Sequence, residues 1–469
     1  MRPRYSSPEF ASPEFESWVE AHVTSTMQIW TGSATHSASS VPRYTAIQQQ
    51  QREAAYDEAL FTVEQELKRV RTRSDRNGMR ARLVAAFARF SASALDLPDA
   101  AVKILTEEFL PVGVSLAQWA RQFDATLSMP DITQACRNAW TACGMQPLLG
   151  ERIRITPSIL GYSLLYPYSD NYLDREEISA ASKLHFSHRF RERLRGHSLT
   201  THDAREHAIW TMVCLIEDQY PRASYPQVFD CLLAIHHAQE ESIAQVTHGS
   251  DYDDTELLRM SCAKGGTSVL ADACLTRGWL NEAESIFAFE WGVLLQLGDD
   301  LQDVQEDMQR GSVTLFSRAA AQGIPLDHLV IQLLNFANHV GARMDQMGQL
   351  PNSTPTLKNL LKMSWRSLIV GAVAQSHQFF SPGFLAEAEQ TSPFRFAFLR
   401  ARRERLTSRQ GLYATLFEAF LDAGDKDATD SALPNPSAIP QHIRPRKQSF
   451  RREAEISEHC AEKLAAQKL

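Results

Sequence analysis

Apolar residues recur three and four positions apart along most of this chain. The pattern is sustained over Arg52 to Val70, Met79 to Leu95, Glu206 to Glu217, Pro226 to Gln245, Asn281 to Arg310 and Leu326 to Met347. Such spacing keeps one side of an α-helix apolar, so each stretch predicts a helix with a face to bury. Alternating runs bounded by hairpin turns, the mark of strands, are scarce. Gly and Pro fall mostly between the helical stretches, at Pro130, Gly144 to Pro147, Pro221 and Gly311, where they act as stops. The expected fold class is all-α, a helical bundle without an internal repeat of fixed period.

The two ends break the pattern. Residues 1–45 are rich in Ser, Pro, Thr and Ala and carry Ser-Pro-Glu-Phe twice, from Ser7 to Phe10 and from Ser12 to Phe15. That composition predicts a flexible N-terminal arm. Residues 423–469 begin with Gly424, Asp425, Lys426 and Asp427 and continue through Pro434, Pro436, Pro440 and Pro445, as a linker does, before a short charged C-terminal helix. A single helical domain is expected over 46–422.

With 469 residues, 43% of them hydrophobic, the chain has enough apolar surface for one large core or two ordinary ones. Its 48 Lys and Arg against 56 Asp and Glu give a net charge of -8, so no global basic field favours nucleic acid. The seven cysteines, at 136, 143, 214, 231, 262, 274 and 460, show no CxxC spacing and read as reduced thiols in a cytoplasmic protein. The longest apolar runs, such as Ser367 to Ala374, are too short to cross a bilayer, so no transmembrane segment is expected.

Two acidic segments stand out. In Gln296-Leu-Gly-Asp299-Asp300-Leu-Gln-Asp303-Val-Gln-Glu306-Asp307, at the end of a long apolar stretch, Asp299, Asp303 and Asp307 fall on one helical stripe with Asp300 and Glu306 beside it. Stacked like charges repel, and a solvated face or a bound cation must offset the cost. In Tyr166-Pro-Tyr-Ser-Asp170-Asn171-Tyr-Leu-Asp174, Asp170 and Asp174 again sit one turn apart after an apolar run. A hard divalent cation such as Mg²⁺ is commonly held by one or two carboxylates plus phosphate oxygens, so two such helices facing each other would grip a diphosphate through metal ions. His185 and His188, three apart, lack the partner Cys or His set that a zinc site needs. Lys264-Gly-Gly-Thr lacks the spacing and the preceding strand of a phosphate loop.

Gly-Asp-Asp-Leu-Gln-Asp from Gly298 resembles the second aspartate-rich motif of class I isoprenoid synthases, and Ser169 to Asp174 resembles the first motif of the squalene and phytoene synthase branch. Lys264-Gly-Gly-Thr267 is similar to the diphosphate-binding Lys-Thr element of trans-prenyltransferases, and Arg310-Gly-Ser-Val-Thr314 to the stretch that follows their second motif. The resemblance spans roughly residues 110–350. It implies an isoprenoid synthase-type bundle with a central apolar cavity, Mg²⁺ as cofactor and a prenyl diphosphate as substrate.

On that resemblance Asp170, Asp174, Asp299, Asp300, Asp303 and Asp307 are expected to hold the metal, the first five being the catalytic set. Lys264 and Arg310, and behind them Lys183, Arg189 and Arg137, are the expected diphosphate contacts. Ala288, Trp291, Gly292 and Leu295, back along the helix from Asp299, together with Tyr166, are the expected substrate pocket. The small residues at 288 and 292 would leave depth for an isoprenoid tail, unless another helix packs closely there. Glu217, Gln219, Gln239 and Ser242 are either interhelical hydrogen-bonding groups or polar groups steering a cation.

The implied activity is a terpene synthase that ionises an allylic diphosphate. Alternatives are a squalene or phytoene synthase-like coupling prenyltransferase, a prenyl diphosphate synthase, and a non-catalytic binding subunit. The chain has neither a Gly-Gly-Lys-Arg element nor an arginine pair after the first motif, which argues against head-to-tail elongation. It also lacks a clear Asn-Asp, Ser, Glu metal triad of the common terpene cyclases. By analogy with helical synthases, a homodimer is a candidate assembly.

Overall fold

The computed structural model describes residues 11–33, 42–71, 78–173, 175, 177–248, 252–347, 354–422 and 433–436; within its helices the side chains of residues 71, 166, 170, 180, 243–248 and 354 are outside the description. Every regular element among these residues is helical. The chain runs through α1 (Pro13–Gly32), α2 (Ala46–Arg71), α3 (Met79–Leu95), α4 (Asp99–Lys103), a π-helical turn (Ile104–Phe109), α5 (Leu110–Phe123) and α6 (Met129–Leu148). It continues with α7 (Pro157–Leu173), α8 (Ala180–Leu194), α9 (Ala204–Gln219), α10 (Pro226–His248), α11 (Asp254–Arg277), α12 (Glu282–Gln302), α13 (Val304–Arg310) and α14 (Leu315–Ala321). The last are α15 (Asp327–Asp345), α16 (Thr354–Gln375), α17 (Pro382–Gln390), α18 (Phe396–Thr407) and α19 (Gln410–Asp422).

Instead of one uninterrupted helical domain over 46–422, the contacts divide the chain into two interleaved units. The first takes Met1–Pro111, Thr141–Arg154 and Gln227–Ala428; the second takes Val112–Trp140, Ile155–Pro226 and Thr429–Leu469. No helix among the described residues is long and apolar enough to cross a membrane.

In the first unit the pair α11 and α12 forms the centre. Their backbones touch, because three glycines face one another: a Cβ on Gly292 would stand 2.0 Å from the Gly265 carbonyl oxygen, and one on Gly266 would stand 2.4 Å from the Phe289 ring. Absence of Cβ is what allows this approach. Asn281 caps α12 in a reciprocal capping box with Glu284, as its Asn-x-x-Glu spacing permits. Buried Glu290 on α12 accepts both Arg343 Nε (2.6 Å) and Nη2 (3.0 Å) from α15.

The expected flexible arm is corrected here. Pro13–Gly32 is a helix whose Val23, Thr26 and Trp30 are buried. Trp30 packs edge-on against Phe336 of α15, and its carbonyl accepts from Gln332 Nε2 at 2.6 Å. Ser12, at the N-cap, donates to the Asp230 carboxylate through its amide (3.1 Å) and its hydroxyl (3.3 Å). Ser-Pro-Glu, which reads as linker, is here a helix start: Pro at the first turn and acids at its positive end. The first Ser-Pro-Glu-Phe and the charged C-terminal helix lie outside the described residues. Within the supposed linker, the Pro434 carbonyl accepts the Trp119 indole N–H at 2.8 Å.

In the second unit α7 and α9 pack closely, and a Cβ on Gly161 would stand 2.7 Å from the Met212 carbonyl oxygen. Partly buried ion pairs fasten α8 to α9. Arg189 donates to Glu206 through Nε (2.6 Å) and Nη2 (2.9 Å), and Arg193 Nη1 donates to Glu217 at 2.7 Å.

Candidate active site

The acidic stripe stands at the C-terminal end of α12. The helix breaks at Asp303, whose φ of -95° and ψ of 7° leave the helical region. The four-residue spacing persists across the break, because Asp303 N donates to Asp299 O (2.9 Å) and Asp307 N to Asp303 O (2.8 Å). Asp299 and Asp303 are exposed, Asp307 is half-buried, and Asp300 turns inward with 5% of its surface exposed.

Asp300 is held on both oxygens. Ser261 Oγ of α11 donates to Oδ2 at 2.8 Å, and Gln296 Nε2, one turn back on α12, donates to Oδ1 at 2.8 Å. Burial pushes its carboxyl up to about 6, against the two donors and the Lys264 ammonium, which favour the anion. Burial, with repulsion from Asp300, Asp303 and Glu306, likewise pushes Asp307 up to about 7, and Lys264 again opposes. The half-buried Lys264 is thus a cation that favours ionisation of both Asp300 and Asp307.

Other expected contacts have different partners. Arg310 forms a solvent-exposed pair with Glu306 at 2.7 Å. Thr314 of the matching stretch is a helix cap, its hydroxyl accepting from Ser317 N at 3.2 Å. Thr267 is buried and turns its hydroxyl back to the Ala263 carbonyl (2.6 Å). Arg189 is corrected from a diphosphate contact to a structural residue, since its guanidinium is taken by Glu206 and by the Thr200 carbonyl at 2.5 Å. Lys183 is half-buried on α8, and Arg137 is exposed on α6.

In the expected pocket stripe, Gly292 is corrected to a packing position. Ala288, Trp291 and Gly292 are buried by packing: Gly292 lies against the Gly265 backbone, and Trp291 packs between Phe287 (5.6 Å) and Trp365 (5.4 Å). Leu295 is half-buried. The close approach of another helix, not room for a ligand, explains the small residue at 292. Glu217 and Gln219 are likewise structural, Gln219 Oε1 accepting from Ser158 N at 3.0 Å.

Asp174 and the side chains of Asp170 and Tyr166 lie outside the described residues, and with them the expectation that the two acidic motifs share one mouth. Around them in the second unit, Tyr168 donates to Asp124 Oδ2 at 3.0 Å and Asn171 Nδ2 to Asp131 Oδ1 at 2.7 Å. Ser261 and Gln296 are the partners that sequence reasoning missed. Gln296 carried a local signal, its spacing of four from Asp300; Ser261 carried none.

Among the described residues no group of three or more His, Cys, Asp and Glu is arranged to hold a metal. Exposed Asp299 and Asp303, one turn apart, nevertheless fit a hard cation that takes one or two carboxylates and fills its remaining positions with phosphate oxygens and water. No protein-family model, curated protein sequence or solved structure matches the chain.

Proposed function

We propose that the protein is a Mg²⁺-dependent class I terpene synthase that ionises an allylic prenyl diphosphate and releases diphosphate. The observation that carries the reading is the cluster at the end of α12: Asp299 and Asp303 exposed, Asp307 pushed up to about 7 by burial and its acidic neighbours, and Lys264 beside them. Carboxyls that repel one another beside an ammonium are costly for stability and are useful where a cation and an anion are taken up together.

Asp299 and Asp303 would hold Mg²⁺, which supplies charge neutralisation for the departing diphosphate. Lys264 would bind a phosphate oxygen as a point charge from the neighbouring helix. The same reading carries a cytoplasmic setting and, by analogy, a homodimer.

Incubation with farnesyl, geranylgeranyl and longer diphosphates plus Mg²⁺, followed by analysis of hexane extracts, tests the reading. A hydrocarbon or alcohol with the carbon number of its donor is expected. A product of doubled carbon number would replace the reading by a coupling prenyltransferase, and no product from any donor would leave a binding subunit.

A further inference from the structure

On α5, Trp119 and Phe123 lie one turn apart and their rings stack, with centroids 5.0 Å apart and planes 17° from parallel. Both side chains are buried. The Trp119 indole N–H donates to the Pro434 carbonyl at 2.8 Å, across 315 positions of sequence. In the short stretch that supplies this carbonyl, Leu433 and Pro434 are half-buried, Asn435 is exposed and Pro436 is buried. Trp119, Phe123 and residues 433–436 belong to the same compact unit. A piece of irregular chain with prolines two apart is thus seated on a helix through a proline carbonyl.

Three physical properties of this contact suit the recognition of proline strands. A proline ring holds φ near -65° before binding, so a Pro-x-Pro strand loses little freedom when it docks. Proline has no N–H, so an aromatic floor with one donor aimed at its carbonyl meets the polar need of that residue. The spacings also agree: residues four apart on a helix rise about 6 Å, and residues two apart on an extended proline strand advance about 6 Å.

We propose that the Trp119 and Phe123 face of α5 is a recognition site for extended Pro-x-Pro strands, which Leu433–Pro436 fills as a ligand tethered in cis. The partner that fits it in trans is a Leu-Pro-x-Pro strand of another chain, admitted when the tethered segment leaves. Tethering gives the cis segment an effective concentration on the order of a millimolar, so a free strand competes poorly until that segment is weakened. The proposal needs nothing from the assigned activity.

Fluorescence anisotropy of a labelled peptide with the sequence of Asp430 to Pro440, titrated with the full chain, tests it. A chain carrying Pro434→Gly and Pro436→Gly is expected to bind the free peptide about tenfold more tightly than the parent, or better. Adding Trp119→Phe to that chain keeps an aromatic ring, removes the donor and should weaken peptide binding by about two- to tenfold. The peptide itself, when it carries Pro434→Gly and Pro436→Gly, should bind neither protein, a comparison that leaves α5 unaltered. Equal affinity of the parent and the proline-substituted chain, or no binding by either, would overturn the proposal. So would equal binding of the two peptides, or undiminished binding after Trp119→Phe.

Discussion

At the scale of single residues, the site gathers carboxyls into a place where ionising them is unfavourable. Asp300 and Asp307 have carboxyls raised to about 6 and about 7, while an unfolded chain would ionise them near 4. The folded form therefore binds protons more readily than the unfolded one through this window. Their contribution favours folding at low pH and is lost as pH rises through about 6 to 7. Metal-free protein taken from about pH 8 to about pH 5 should gain stability on the order of 2 kcal/mol through these groups. Asp300→Asn should flatten the profile, as read by chemical denaturation at fixed ionic strength. Added Mg²⁺ should stabilise more at the upper end of that range, where the carboxyls are ionised; a flat profile in the parent would show that they titrate normally.

Gly292 belongs to the same scale. Its nearest neighbours are backbone atoms of Gly265 and Gly266, which no rotamer change can move. Gly292→Ala should cost about 1–3 kcal/mol or more, by separating α11 from α12. Retention of the parent melting temperature would show that α11 and α12 do not touch at Gly265 and Gly292.

At the scale of elements, periodicity in the apolar residues made the long helices legible, because a half-buried helix cannot hide a repeat of three and four. The N-terminal helix was hidden by composition. Its Ser, Thr and Pro content matches a linker, and only Val23, Thr26 and Trp30, three and four apart, marked the face that packs in the first unit. Trp30→Ala should cost about 3–5 kcal/mol, since the indole is 3% exposed and seated on Phe336. A melting curve unchanged from the parent would return residues 13–32 to the status of an arm. The acidic spacing at 299, 303 and 307 was also legible, being local. The inward turn of Asp300, the Arg189 pairing with Glu206 and the Gly265 contact with Gly292 were not, because each joins residues from different helices.

At the scale of the whole molecule, the regular elements among the described residues are all helical, and the proposed activity is tested through the α12 carboxylates. Lys264 and the exposed pair Asp299 and Asp303 are assigned the anion and the cation of one metal-bound diphosphate. Mg²⁺-dependent release of diphosphate from an allylic prenyl donor, compared between the parent and Asp299→Asn with Asp303→Asn, tests that assignment most directly. Release by the parent and its reduction by about a thousandfold in the double variant, with the helical circular dichroism and melting temperature retained, is the predicted result. Equal release by both proteins, or none by the parent with any prenyl donor, would contradict it.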